Sequence, residues 1–415
     1  MSTSSTEAST QAFNPYTPEF RANPYPFYHE QRVRNPVHWR GKLSSGVNSW
    51  DVTGYEEAVA VLNDDRLGRE VWKVVPPEQL ARIPEALQPL FQMFRNWLPM
   101  YDPPEHTRLQ GVLRRKFTRQ YIESLYPYIE RIVNDVLDEV SSADTIDFVA
   151  DFARQIPIAV MAKILGVPID MRPQLNEWSA EILRAIEFEP RFPDLLQGTQ
   201  AVAGMYEYFK TQVEERRRQP TDDLISVLVE AKEQGDILNE DEILANCVLM
   251  VMAGGESTAS LIGTGMLALL RNPDQLEKLR TDPTLYHSAC EELIRYEPPA
   301  HVTHRIAFED VEIAGQTIRR GERVNVWMGA INRDPAKFPD PDRLDLSRDP
   351  NPHLGFGHGV HACLGYFLAH AELEITFKTL LKRVSHFELQ TEQPEWQETI
   401  MVRALKSLPI SFSTK

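Results

Sequence analysis

Between Asn239 and Arg271 nearly every position is apolar or small, and Asn272-Pro273 stops the run. Asn239 stands as an N-cap with Glu242 at the capping-box position, so the pattern predicts one helix over 239–271. At ~1.5 Å per residue it would be roughly 45–50 Å long, enough to cross a large domain. Its apolar character also suits a membrane span. Asn246, Glu256 and the Gly254-Gly255 pair sit within it, however, and a carboxylate at mid-bilayer costs several kcal/mol. The pattern is that of a buried central helix.

Helical periodicity also fills 121–234, with breaks near Asp144, Gly166-Val-Pro168, Glu189-Pro190 to Pro193, and Gln219-Pro220. A helix runs through Arg34, a short one covers Tyr55 to Asn63, and Asp102-Pro-Pro-Glu-His106 opens another. Cys363 to Phe377 reads as an amphipathic helix. Trp39 and Trp50-Asp-Val-Thr bracket a hairpin with Gly46 in its turn, and Phe308 to Val326 alternates around Ala314-Gly315. Glu70 to Met100 is Pro-interrupted and rich in large apolar residues, Trp97 among them. The fold expected is mainly α with small antiparallel β-sheets, one large domain over 14–415. The Ser/Thr-rich residues 1–13 read as a disordered tail.

Composition narrows the class. The 415 residues are 42% hydrophobic and 25% charged, ordinary for a globular protein. A net charge of −16 disfavours nucleic acid and anionic membrane as partners. Three cysteines, Cys247, Cys290 and Cys363, make no disulfide framework and suit a reducing cytoplasm. No signal or membrane anchor is expected, and a monomer is.

The chemistry concentrates in Phe356-Gly-His-Gly-Val-His-Ala-Cys-Leu-Gly365. Glycines so close together disfavour regular structure and suit positive φ or the close approach of something bulky. Cys363 at a helix start lies where free amides favour a thiolate, a soft anionic metal ligand. Three other readings compete. Gly357-His-Gly359-Val-His-Ala362 matches a loosened dinucleotide fingerprint, but Asp349-Pro-Asn-Pro352 stands where a strand is needed. His353, His358, His361 and Cys363 suggest zinc, without any usual paired-ligand spacing. A buried structural cysteine is the plainest reading.

Phe356, Gly357, Gly359, His361, Cys363 and Gly365 together resemble the haem-ligand signature F-G-x-G-x-[HR]-x-C-x-G of the cytochrome P-450 family of haem-thiolate monooxygenases. The resemblance implies that Cys363 is the axial ligand of a haem b iron, held between the central helix and the Cys363 loop. Ala253-Gly-Gly-Glu256-Ser257-Thr258 is similar to the family's A-G-x-[DE]-T, implying that Glu256 relays protons and that Ser257, with Thr258 beside it, bonds bound oxygen. Serine keeps the hydroxyl but loses the methyl that restricts χ1. His106 and Gln110 match H-x-x-x-R in the histidine only. Arg305 and His361 fall at the other propionate positions, and Phe356, Gly357, Gly365 and Ala253 complete the implied haem contacts.

Glu292-Leu-Ile-Arg295 resembles the buried E-x-x-R pair, which implies Arg343 as its later partner. Trp97, Leu249, Met252, His301, Met401 and Val402 fall where the family lines its substrate pocket. The implied activity is dioxygen-dependent hydroxylation or epoxidation of a mostly apolar small molecule. With no flavin or iron–sulfur sequence, electrons are expected from a ferredoxin or flavodoxin with an NAD(P)H-dependent reductase. A peroxide-driven enzyme and a non-catalytic haem-thiolate sensor are the alternatives; retention of both Glu256 and Ser257 favours dioxygen.

Overall fold

The computed structural model describes residues 14–233 and 238–414. The expectation of a disordered tail over 1–13 lies outside the described residues. Helix Glu240–Arg271 runs without interruption for 32 residues, and its N-terminus closes the predicted capping box, Asn239 and Glu242 bonding each other's backbone amides. Of its most apolar 18-residue window, 78% is buried against other elements, which makes it the core rather than a span. Helices Gln155–Leu165, Arg172–Ala185, Phe192–Arg218 and Tyr366–Arg383 pack around it. One continuous apolar cluster joins these helices.

The hydroxyls that follow the central glycines turn inward on their own helix. Ser257 Oγ donates to the Ala253 carbonyl oxygen at 2.5 Å, and Thr264 Oγ1 to Ser260 at 3.0 Å. Such back-bonding satisfies a small polar side chain inside a helix without a partner from elsewhere. At Gly254 a Cβ would stand 2.5 Å from Met161 Sδ, so any larger residue there must displace that methionine.

The hairpin forms as predicted, Val37–Lys42 against Asn48–Val52 with Trp39 opposite Trp50. It belongs to a five-stranded sheet completed by Arg323–Trp327, Val302–Ala307 and Leu67–Gly68. All neighbours in it are antiparallel save Asn48–Val52 and Arg323–Trp327, which run parallel. That long-range pairing has no local sequence signature. Ala314-Gly315, both at positive φ, turn the small hairpin Val311–Ile313 and Gln316–Ile318. A third sheet sets Pro409–Thr414 between Thr145–Asp147 and Val384–Leu389.

One boundary differs in a way that matters. The helix expected from Cys363 begins at Tyr366 with Gly365 as its N-cap, so Cys363 lies in the loop before it. The reason is a competing bond: the Cys363 amide donates to the Phe356 carbonyl at 2.8 Å and closes the loop on itself. Gly357 (φ 75°) and Gly359 (φ 66°) make the left-handed turns this closure needs.

Candidate active site

Two cavities of about 200 and 250 Å³ lie between the central helix and the Cys363 loop. Both are lined by Ser257 and Thr258 on one side and by His361, Cys363 and Ala369 on the other, so they form two halves of one slot. From the central helix come Leu249, Met250, Ala253, Gly254, Ser257 and Thr258, the i, i+4 stripes of one helix face. Met252 falls off that stripe and is buried in the core, which corrects its expected place in the pocket.

Cys363 is the slot's reactive side chain. Burial pushes its thiol up, and the Gly365 amide pulls it down. Its environment thus holds a neutral thiol unless a cation opposes the sulfur. Gly357, Phe356 and Gly365 line the slot beside it. Phe356 packs edge-on against Tyr366 with ring centroids 4.7 Å apart. Among the described residues no group of three His, Cys, Asp or Glu side chains is placed to hold a metal ion. His353 instead meets Glu291 at 2.7 Å, away from Cys363, which removes the zinc reading.

One end of the slot is polar and basic. His106 and His361 meet edge-to-face, ring centroids 4.5 Å apart. Burial lowers His106 to about 4 and also lowers His361, whose Nε2 is 3.7 Å from Asp102 Oδ1. Arg305 is 3% exposed, its Nη1 donating to the His304 carbonyl at 2.9 Å. Gln110 also reaches the slot, and its amide donates to Val360 O at 3.4 Å, tying the helix Glu105–Leu113 to the Cys363 loop. Arg69, which gives no signal in the sequence, enters this end from beside strand Leu67–Gly68.

Glu256 faces the other way. It lines a wide polar cleft with Arg154, Leu183, Arg184 and Glu187, and burial raises its pKa against the attraction of Arg154. The structure therefore brings Ser257 and Thr258 to the slot and leaves Glu256 on the cleft side of the helix.

The other expected pocket residues distribute unevenly. Leu249 lines the slot, whereas Trp97 is in the core with its ring 5.4 Å from that of Phe94; Leu98 and Pro99 line the slot instead. His301 is 2% exposed and accepts or donates a 2.6 Å hydrogen bond with the Tyr28 hydroxyl. Its neighbours Ala300 and Thr303 line the slot, whereas His301 turns to Tyr28 instead. Met401 packs with the Phe20, Tyr28 and Trp327 cluster, and Val402 pairs with Ala300 through the backbone. Neither is among the residues lining these two cavities, because that backbone pairing directs the tail along the 300–301 segment.

Glu292 and Arg295 form the expected pair, both side chains fully buried. Its third member is corrected. Arg343 supplies only its carbonyl to Arg295, at 3.3 Å, and the cation on Glu292 is Arg348, at 3.1 Å. The turn through Asp340 and Arg343 points the backbone inward there, leaving the charge to a residue five positions later.

A thiol that opens into the slot and faces two hydroxyls across it, with a cationic end, suits a haem-thiolate type of site on a mainly helical fold. Residues 100–413 match the family model "Cytochrome P450". The chain is 39% identical over 394 residues to "Biotin biosynthesis cytochrome P450" of Bacillus subtilis (strain 168), covering 95% of this chain and 97% of that protein. It is 37% identical to "Mycinamicin IV hydroxylase/epoxidase" of Micromonospora griseorubida, covering 92% and 94%. Among solved structures, one of a cytochrome P450 in complex with an acyl carrier protein bearing hexadec-9Z-enoic acid superimposes with a TM-score of 0.88 at 38% identity, covering 95% of this chain and 99% of that one. The chain belongs to the cytochrome P-450 family. It is a monooxygenase with the family's haem-thiolate cofactor, and that family uses redox partners.

Proposed function

We propose that the slot holds haem b, with Cys363 as its axial ligand, and that the enzyme hydroxylates or epoxidises a mostly apolar molecule using dioxygen. The observation that carries this reading is the facing of Cys363 by Ser257 and Thr258 across one slot. The side chains present fit the group: an apolar interior between Leu249, Ala253 and Leu368, a thiol at the centre, and buried cations at one end for its carboxylates. Bound haem supplies the dioxygen activation and oxygen transfer that amino-acid side chains lack. Cys363 would hold the iron as a thiolate, a metal cation opposing the desolvation that otherwise keeps the thiol neutral.

Ser257 and Thr258 place hydroxyls on the slot wall opposite Cys363, where they would donate hydrogen bonds and hold protons beside the cofactor. Glu256 takes protons from the polar cleft, its raised pKa suiting exchange nearer neutrality than an ordinary carboxylate allows. Electrons come from a ferredoxin or flavodoxin reduced at the expense of NAD(P)H, in the cytoplasm. His106, Arg305 and His361 hold the carboxylate end of the cofactor, and residues 14–415 act as one haem domain.

Dioxygen uptake with a surrogate ferredoxin and reductase, against product formed from an apolar substrate, tests this reading. Product that depends on reductase and dioxygen is expected. Product only with added peroxide, or haem binding without any turnover, would replace it by the peroxide-driven or sensor alternative.

A further inference from the structure

Position 110 brings no charge to the basic end of the slot. Gln110 spends its amide on Val360 O, and its oxygen accepts from Arg114 Nη2 at 3.2 Å. A cofactor with two carboxylates then meets one expected guanidinium, Arg305. The structure puts a second guanidinium there. Arg69 is 8% exposed and lines the same half of the slot as Arg305, Pro99 and Thr303.

Its partners are all neutral. Nε donates to Pro99 O at 2.9 Å, Nη1 to His304 O at 2.8 Å and more loosely to Thr303 Oγ1 at 3.5 Å, and Nη2 meets only Met100 Sδ at 3.8 Å. Asp102 accepts the backbone amides of Arg69 and Glu70 and is shared with Lys73, without an ion pair to the Arg69 side chain among the described residues. Burial and the nearby Arg305 and Arg323 guanidiniums lower Arg69 to about 9, against the attraction of Asp102, which makes no direct bond to the guanidinium. A buried cation without an anion is costly, so such a pair of guanidiniums calls for a negatively charged occupant.

Resting on the haem reading above, we propose that Arg69 binds one propionate of the cofactor and supplies the charge absent at Gln110. The three neutral acceptors fix the plane of the guanidinium. That leaves Nη2 to donate into the slot, a charge-assisted bond of the strong kind.

The test is the rate at which ferric holoprotein loses haem to excess apomyoglobin, followed optically. Arg69→Gln is expected to lose haem about tenfold faster or more, in line with a charge-assisted bond. Adding Gln110→Arg to that variant should restore the parent rate to within about threefold, because it returns the charge from the opposite wall. A purely structural Arg69, holding Pro99 and His304, would not be rescued in this way. Parent-like retention by Arg69→Gln, or failed rescue, overturns the proposal. A substrate carboxylate as the true occupant would show as weaker optical binding of hexadecanoic acid, but not hexadecanol, with retention unchanged; that also overturns it. Unaltered protein with no Soret band at all would strike the haem reading itself, and Arg69's role with it.

Discussion

Arg348 Nε stands 3.1 Å from Glu292 Oε2, closing from the loop side the bidentate pair that Arg295 makes from within the same helix at 2.7 and 2.8 Å. Glu292 also accepts the amide of Asp345 at 2.9 Å, and Arg295 donates to the carbonyls of Asn332 and Pro341. The loop that leads into Phe356 and Cys363 is thus bolted to helix Tyr286–Tyr296 by one buried carboxylate.

Removing a cation from a buried carboxylate costs more than removing a surface charge. Arg348→Met is therefore expected to lower stability by ~2–4 kcal/mol. Arg343→Ala, which deletes a side chain while its carbonyl stays, should cost less than ~1 kcal/mol. Urea midpoints of the two variants check this ordering; equal losses would return the charge role to Arg343.

Glu372 is fully buried on helix Tyr366–Arg383, its carboxyl facing the Thr258 hydroxyl of the central helix. Burial raises its pKa from 4.5 to about 8, opposed by the Thr258 hydroxyl across the helix interface. The folded chain then binds a proton that the unfolded chain has lost. Stability from this group is full below about pH 4.5 and falls as pH rises toward about 8. Glu372→Gln should flatten that slope and add ~3 kcal/mol at neutral pH. Denaturant midpoints at about pH 5 and about pH 8 test it; parallel profiles for parent and variant would contradict it.

Ser257→Ala should keep the fold, since among the described residues the hydroxyl bonds only to its own helix, at the Ala253 carbonyl. It should lower the yield of product per dioxygen consumed severalfold, a loss typical of one proton-handling group. Ser257→Thr should keep or improve the yield, the added methyl limiting χ1. Simultaneous oxygen-electrode and product measurements decide; an unchanged yield in Ser257→Ala would shift the role to Thr258.

Much of this was legible in the chain because it is local. The capping box at Asn239, the hairpin around Gly46 and the turn at Ala314-Gly315 are set by neighbouring residues and stand as expected. The Cys363 loop and the Ser257 face were legible through their resemblance to the family's haem-ligand and A-G-x-[DE]-T motifs. What failed was orientation. His301, Met401 and Val402 have the right address, but side-chain direction there depends on the pairing of distant segments, Tyr28 against His301 and the tail against Ala300. Arg348 and Arg69 were hidden because an isolated arginine looks alike on a surface and in a buried bond network.

The most direct measurement is the optical spectrum of the reduced protein under carbon monoxide, for the parent and Cys363→Ser, with iron quantified in both. A strongly red-shifted Soret band in the parent, lost in Cys363→Ser, is the predicted result. A parent without iron, or a band that survives the substitution unchanged, would contradict the assignment of Cys363 as the axial anion.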